Sequence, residues 1–342
     1  MVTRVGINGF GRIGRQAFKV ALQHPELEVV AINDIGDVAN MAYLLKYDSV
    51  YGQDEHEVRS EGNILYVDGK EYPVLKVADP KQLPWRDLGV DVVIESTGRF
   101  TSGEQARVHL DAGAKRVVIS APAKGAPSFV LGVNDDAYDS GRDQVISNAS
   151  CTTNSIAPVM AILDEKFGVQ KAFLTTVHSY TADQRLVDSP HSDYRRGRAA
   201  AQNIVPTSTG AARATAEALP QLKGIFDGVS LRVPTIDVSM SDMTVLLKRK
   251  TSIEEINEEF RQAAAGKYKG ILQATDEPLV STDFLGNPNS SIVDLSLTQV
   301  LDGDFVKIFA WYDNEWGYSN RLVEQVVMVG NSLEREPAAA QS

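Results

Sequence analysis

Along the first half of the chain, short runs of β-branched residues alternate with stretches whose apolar positions recur every three to four residues. The runs at 5–8, 29–33, 92–96 and 117–120 predict buried strands, and the periodic stretches at 13–22 and 39–45 predict helices between them. Strand, helix, strand in this rhythm predicts a parallel sheet wound with helices. Residues 58–77 interrupt it with a hairpin whose turn is Asp68-Gly69. From residue 172 the strand-like runs lengthen, at 172–177, 229–233, 244–248 and 305–312, with fewer helices between them. This predicts a second, α+β domain on a larger and more antiparallel sheet. An amphipathic helix is expected at 319–329, and 337–342 reads as a frayed tail.

Composition narrows the class. At about 150 residues per domain, 342 residues make two domains. Lys and Arg number 34 against 45 Asp and Glu, a net charge of −11, which argues against binding nucleic acid or an anionic membrane. No apolar run approaches the ~18 residues of a membrane span. The N-terminus runs directly into strand-like sequence, so no signal peptide is expected. A single cysteine permits no internal disulfide, which fits a reducing, cytoplasmic setting. No spacing of His, Cys, Asp or Glu suggests a metal site.

Gly9-Phe10-Gly11-Arg12-Ile13-Gly14 fits GxGxxG. Alone the pattern is as consistent with any tight turn before a helix. Here it follows a strand, opens a helix, and is followed twenty residues after Gly14 by Asp34 at the end of the next strand. The glycines allow the turn, close approach of a pyrophosphate, and tight packing of helix on sheet, while the helix N-terminus presents amides to the phosphates. Asp34 is placed to accept from ribose hydroxyls and to repel a 2′-phosphate. NAD is therefore favoured as cofactor, with NADP a poorer alternative.

The segment Ser147-Asn148-Ala149-Ser150-Cys151-Thr152-Thr153-Asn154 carries the lone thiol. A free cysteine is more often a small buried hydrophobe. Five of the six flanking positions here are polar, and the apolar-periodic run at 156–167 makes the segment a helix entrance. Orphan amides at a helix start stabilise a thiolate, by about 0.3–1 kcal/mol and up to ~2 when partly buried. That moves a thiol by about one pKa unit, so a second partner is needed. Of five histidines, His24, His56, His109 and His191 read as structural or solvated. His178 ends a strand-like run and precedes Ser179, Tyr180 and Thr181, which makes it the candidate base.

Arg195, Arg196 and Arg198 concentrate positive charge in an acidic chain, although such clusters are usually solvated. Thr207-Ser208-Thr209-Gly210 enters a helix at 211–219, offering hydroxyls and orphan amides to an anion. Arg232, on a strand before Pro234, adds a guanidinium. Two anion clusters besides the pyrophosphate site suit a phosphorylated substrate and a second phosphate. Glu254, Glu255, Glu258 and Glu259 form a solvated helix face, with Ser252 and Glu255 at capping-box spacing.

Taken together, residues 8–15, 147–154, 178–181, 195–201, 207–212 and 311–315 resemble the phosphorylating class of glyceraldehyde-3-phosphate dehydrogenases, a likeness running over about residues 2–333. The resemblance implies an α/β fold: a Rossmann-type doubly wound parallel sheet for an NAD domain at 1–150, then an α+β catalytic domain with a large mixed sheet at 151–316. A helix at about 317–333 would complete the first domain, with a flexible tail at 334–342. It implies a homotetramer in which the loop at 180–202 reaches a neighbour's cofactor site. Carried over by motif, Cys151 is the nucleophile and His178 its base. Thr181, Asp183, Arg196 and Arg232 hold the phosphate of glyceraldehyde 3-phosphate, and Ser150, Thr152, Thr209 and Gly210 hold the attacking inorganic phosphate. Gly9, Gly11, Arg12, Ile13, Gly14, Asp34, Thr97, Ser120 and Asn314 line NAD, with Asn314 orienting the nicotinamide amide. Two departures stand out. Val77 and Ala78 precede Asp79-Pro80 where the family commonly has an Arg, and Asp188-Ser189-Pro190 has Ser where NAD-specific members often have Leu. Competing readings are a sister enzyme oxidising erythrose 4-phosphate with water as acyl acceptor, and a cofactor-bound regulatory or nucleic-acid-binding protein without catalysis.

Overall fold

A computed structural model describes residues 2–333, and the tail expected at 334–342 lies outside them. The chain divides into two compact units. The described part of the first comprises residues 2–129, 137–149 and 319–333, and the second comprises Val130–Asp136 and Ser150–Tyr318.

The first unit is built on five strands in the order Val145–Ser147, Arg116–Ile119, Val92–Glu95, Thr3–Asn8, Leu27–Asn33. Every pairing among them is parallel. Both faces are covered, so the strands read as near-continuous apolar runs, and Val5, Ile7, Val93, Ile94, Val117 and Val118 have no exposed surface. The chain leaves Thr3–Asn8 for the strand on one side and later crosses to Val92–Glu95 on the other. That reversal opens a crevice at the carboxyl ends of the strands, where ligands of such sheets bind. The helix Arg12–Ala21 follows the first strand and packs Phe18 edge-on against Phe10 and Tyr72.

Where a single hairpin was expected over 58–77, residues 58–73 form a three-stranded meander. Val58–Glu61, Ile64–Val67 and Lys70–Pro73 pair in sequence. Asp68-Gly69 makes the second turn, both residues at positive φ, as a tight hairpin turn demands. The first turn uses Gly62 at φ +56, a lone glycine whose signal is weaker than Asp-Gly. The last helix, Trp316–Leu333, outruns the expected 319–329 at both ends. Within the first unit it lies close on the first strand: a Cβ at Gly330 would sit 2.2 Å from Thr3 Oγ1.

The second unit carries an eight-stranded mixed sheet. Its long central strand Val169–Ser179 pairs in parallel with Phe226–Val233 and antiparallel with Ser239–Leu247, which pairs antiparallel with Phe305–Tyr312. Along Ser239–Leu247 burial alternates residue by residue, so one face is core. Against the core packs the helix Cys151–Phe167, burying Ile156, Val159, Met160, Leu163 and Phe167 at helical spacing.

Candidate active site

In the first unit, Asn8, Gly9, Gly11, Asn33, Asp34, Ile35, Val77, Ala78, Pro80, Ser96, Thr97, Arg99 and Phe100 line a cleft at the strand ends. Its floor is made by absent side chains. Gly9 has φ +98, and a Cβ there would lie 2.6 Å from Thr97 N; at Gly14 a Cβ would lie 2.0 Å from Gly9 O. Only glycine fits either place. Around Gly11 the space is open, and no side chain caps the helix that starts after it, so its amide end is available to a phosphate. Asp34 Oδ2 accepts from Phe10 N at 2.7 Å and Oδ1 from Gly36 N at 2.9 Å, which aims the carboxylate and leaves lone pairs for hydroxyl donors. These features fit a dinucleotide.

Three of the expected cofactor residues stand differently. Arg12 is drawn to Asp48, Nη1 to Oδ2 at 2.7 Å, where Gln16 Nε2 also donates. Burial raises the Asp48 carboxyl, but the backbone amides of Val50 and Tyr51 together with Arg12 outweigh it and hold it below its usual range. Ser120 lies beyond the strand Arg116–Ile119 with its N–H on Glu95 O, and Ile13 is the second residue of the helix; neither is among the residues lining the cleft. Ile35, Pro80, Arg99 and Phe100 were not anticipated from sequence as lining residues, because nothing local distinguishes them from loop residues. Val77 and Ala78 replace the expected cation with small apolar surface on one wall.

In the second unit, Ser150 caps the helix Cys151–Phe167, its Oγ accepting from Thr153 N at 3.0 Å, so Cys151 is the first helical residue. Cys151 Sγ lies 3.5 Å from His178 Nε2. His178 Nδ1 lies 2.7 Å from the Ser179 carbonyl, which only accepts. Nδ1 therefore carries the proton, and Nε2 presents its lone pair to sulfur. The imidazole is 5% exposed and its ring meets Tyr312 edge-on. Burial, as the largest cause, pushes the thiol up to about 11 and the imidazole down to about 3, with Arg232 favouring thiolate and disfavouring imidazolium. Each cost is that of an isolated charge. Passing the proton from Sγ to Nε2 instead makes a pair of opposite charges with no net charge to bury.

Strain sits beside the histidine. Val238, β-branched, is held at φ +65, which costs on the order of 1–3 kcal/mol. Ser179 Oγ donates to its carbonyl, and Ser179 N donates to Ser239 Oγ. Ser239 Oγ in turn donates to Asn314 Oδ1 at 2.6 Å, fixing that amide. Thr152, expected among the phosphate residues, is buried. It is 5% exposed and its hydroxyl lies 2.9 Å from Tyr312 Oη, which also meets Thr176 Oγ1. Thr152 turns inward because a buried phenol needs a partner, and its hydrogen bonds help the sulfur carry charge.

Two arginines converge near the histidine. Arg232 Nη1 donates to Thr181 Oγ1 at 2.6 Å and lies 3.3 Å from Ser179 O. Arg196 Nη1 donates to Asp183 Oδ2 at 2.7 Å, and the Thr181 hydroxyl donates to the other oxygen of Asp183. Burial raises the Asp183 carboxyl, but Thr181 and the two guanidinium groups outweigh it and hold it low. Arg198 pairs with Asp188 on the exposed side and stands apart from this group. The expected hydroxyl cluster at 207–210 is divided. Thr207 and Ser208 belong to the strand Val205–Ser208, and Thr207 Oγ1 is tied to Asp193 and Arg196. Thr209 and Gly210 alone stand at the start of the helix Ala211–Ala218, where Thr209 Oγ1 accepts from Ala211 N.

Comparison with known proteins agrees with this chemistry. Residues 3–103 match the NAD binding domain of glyceraldehyde 3-phosphate dehydrogenase, and residues 150–314 match its C-terminal domain. The chain belongs to the glyceraldehyde-3-phosphate dehydrogenase family. It is 54% identical over 336 residues to glyceraldehyde-3-phosphate dehydrogenase of Streptomyces coelicolor, covering 97% of this chain and 100% of the relative. It is 52% identical over 332 residues to the enzyme of that name from Geobacillus stearothermophilus, at 97% and 99% coverage. Glyceraldehyde-3-phosphate dehydrogenase 1 of Bacillus subtilis is 53% identical over 325 residues, at 95% and 97%. Membership in the glyceraldehyde-3-phosphate dehydrogenase family accounts for the thiol, the imidazole and the two arginines within one unit. Among the described residues no group of His, Cys, Asp or Glu is arranged to hold a metal, and no helix is long and apolar enough to cross a membrane.

Proposed function

We propose that the chain oxidises glyceraldehyde 3-phosphate with NAD and inorganic phosphate to 1,3-bisphosphoglycerate, reversibly, as in glycolysis and gluconeogenesis. The observation that carries this reading is the Sγ–Nε2 approach of 3.5 Å, with Nδ1 tied to a carbonyl. Nε2 accepts the thiol proton as sulfur adds to the aldehyde carbon, and returns it to the new alkoxide of the hemithioacetal. The same nitrogen then takes the hydroxyl proton as hydride departs, leaving a thioester on Cys151. NAD, when bound, supplies the hydride acceptor. Sulfur is required because a thioester keeps energy that an oxygen ester loses, and inorganic phosphate then attacks it to release an acyl phosphate.

Arg232 and Arg196, oriented by Thr181 and Asp183, hold the substrate's own phosphate. Charge-assisted hydrogen bonds contribute about 1.5–3 kcal/mol each, enough for two or three to offset much of its desolvation. Ser150, Thr209, Gly210 and the backbone of Thr152 receive the attacking phosphate. The first unit holds NAD through Gly9, Gly11, Gly14, Asp34 and Thr97, with Arg12, Ile13 and Ser120 at its margins, and Asn314 orients the nicotinamide amide. In this reading residues 1–150 with the helix at about 317–333 form the cofactor domain, and 151–316 the catalytic domain. The enzyme works as a cytoplasmic homotetramer.

The test is NADH formation from glyceraldehyde 3-phosphate with and without phosphate, before and after thiol alkylation. Strict dependence on phosphate and loss on alkylation are expected. Rates indifferent to phosphate, or higher with erythrose 4-phosphate, overturn the assignment. Cys151→Ser is expected to lower kcat on the order of 10³-fold or more.

A further inference from the structure

Behind the cofactor cleft lies a chain of buried polar groups that the reaction itself does not use. Glu95, at the end of the strand Val92–Glu95, is 2% exposed, and His109 and Trp85 are fully buried. Trp85 Nε1 donates to His109 Nδ1 at 3.0 Å. An indole only donates, so Nδ1 is an acceptor and His109 carries its proton on Nε2, which meets Glu95 Oε2 at 3.0 Å. Asn8 Nδ2 donates to the same oxygen at 2.6 Å. Oε1 accepts from Thr97 N at 2.9 Å and from the Thr97 hydroxyl. Asn8 Oδ1 accepts from Asn33 Nδ2 at 2.7 Å, and Asn33 is paired through its side chain with the backbone of Val77. The carboxyl ends of three adjacent strands are thus tied through one carboxylate, and Asn8, Asn33, Val77 and Thr97 all line the cleft.

We propose that Glu95 is a positioning residue for the cofactor cleft, which fixes the Thr97 hydroxyl as an acceptor toward the ligand. The Thr97 hydroxyl hydrogen is committed to Glu95 Oε1, and Arg99 N donates to Thr97 Oγ1 at 3.1 Å, leaving that oxygen one lone pair. What Thr97 Oγ1 offers the cleft is a lone pair, which suits a ribose hydroxyl or an amine and not a phosphate oxygen. An amide cannot replace the carboxylate here. Donors face both of its oxygens, so the NH₂ of a glutamine meets either Thr97 or the Asn8–His109 pair. His109 cannot relieve this by changing tautomer, because Trp85 holds Nδ1 as acceptor.

The inference rests on the reading of this cleft as the NAD site. Its test is NAD binding to the full-length protein by titration calorimetry, with melting temperature measured alongside, for Glu95→Gln and Trp85→Phe. Glu95→Gln is expected to raise the NAD Kd at least fivefold. Trp85→Phe, which disturbs more core volume but leaves the carboxylate its other donors, is expected to lower the melting temperature and keep Kd within twofold. If Glu95→Gln does not fold, Thr97→Val and Thr97→Ser read the same oxygen, and only the valine is expected to weaken NAD. An unchanged Kd in Glu95→Gln, equal Kd values in the two Thr97 variants, or a Trp85→Phe loss as large as that of Glu95→Gln overturns the proposal. Wild-type protein that fails to bind NAD overturns the reading of the cleft instead.

Discussion

At the scale of single residues, the active site turns on one proton shared by two buried groups. His178 was distinguishable in the sequence by its place at a strand end and the polar residues that follow it, while its tautomer depends on the Ser179 carbonyl 2.7 Å from Nδ1. His178→Asn removes the acceptor and leaves Arg232 and Thr152 alone to oppose the cost of burying the thiolate. Its kcat is expected to fall about 10²–10⁴-fold, and alkylation of Cys151 to require higher pH than in the wild type. Stability follows the same group. With a folded value near 3 and an ordinary value of 6.5, His178 stays neutral in the native state while the unfolded chain takes up a proton as pH falls. Its contribution is full above pH 6.5 and is lost progressively down to about pH 3. Chemical denaturation across that window checks this: the acid decline is expected to be shallower in His178→Asn by the uptake of one proton. Thr152 marks the limit of residue-level reading. The family resemblance gave it to the attacking phosphate, and in the structure its hydroxyl meets a phenol 160 positions away.

At the scale of elements, the strand–glycine–helix unit was legible because each part has a local cause. Gly14 is demanded by the approach of Gly9 O, and Gly14→Ala is expected to destabilise the first unit by about 1–3 kcal/mol through overpacking and to lower NAD affinity, read by thermal melts and calorimetry. Asp34 sits at the end of the strand Leu27–Asn33, held by two backbone amides. Asp34→Ala is expected to lower kcat/KM for NAD by about tenfold or more, the value of one or two lost charge-assisted hydrogen bonds, and to shift the NAD-to-NADP ratio toward NADP. A wild-type preference for NADP, in line with Ser189, would overturn the role given to Asp34. The helix Cys151–Phe167 was readable from its apolar period, while its Ser150 cap came only with the structure. The meander at 58–73 was read only in half, since Gly62 lacks the paired turn signal of Asp68-Gly69.

At the scale of the whole molecule, large apolar side chains remain on the surface of the single chain. Leu186, Val187, Tyr194 and Ile204 are 78%, 69%, 89% and 67% exposed in the segment between the strands Val169–Ser179 and Val205–Ser208. Phe173 and Val229 stand on one outer face of the large sheet, two register positions apart. Such patches favour association, and sedimentation is expected to give the mass of four copies. Phe173→Asp with Val229→Asp is expected to shift that mass downward.

The sequence by itself determined the two sheet classes, the glycine cradle, the acid at the second strand's end and the thiol at a helix start. All of these follow from local period, turn chemistry and capping, which act within a few residues. Only the tertiary structure decided which histidine meets the sulfur, which hydroxyls face an anion, and that Glu95 gathers Asn8, Thr97 and His109 behind the cleft. Those choices are made by groups up to 160 positions apart, whose meeting depends on how sheets and helices pack and on every buried donor finding an acceptor.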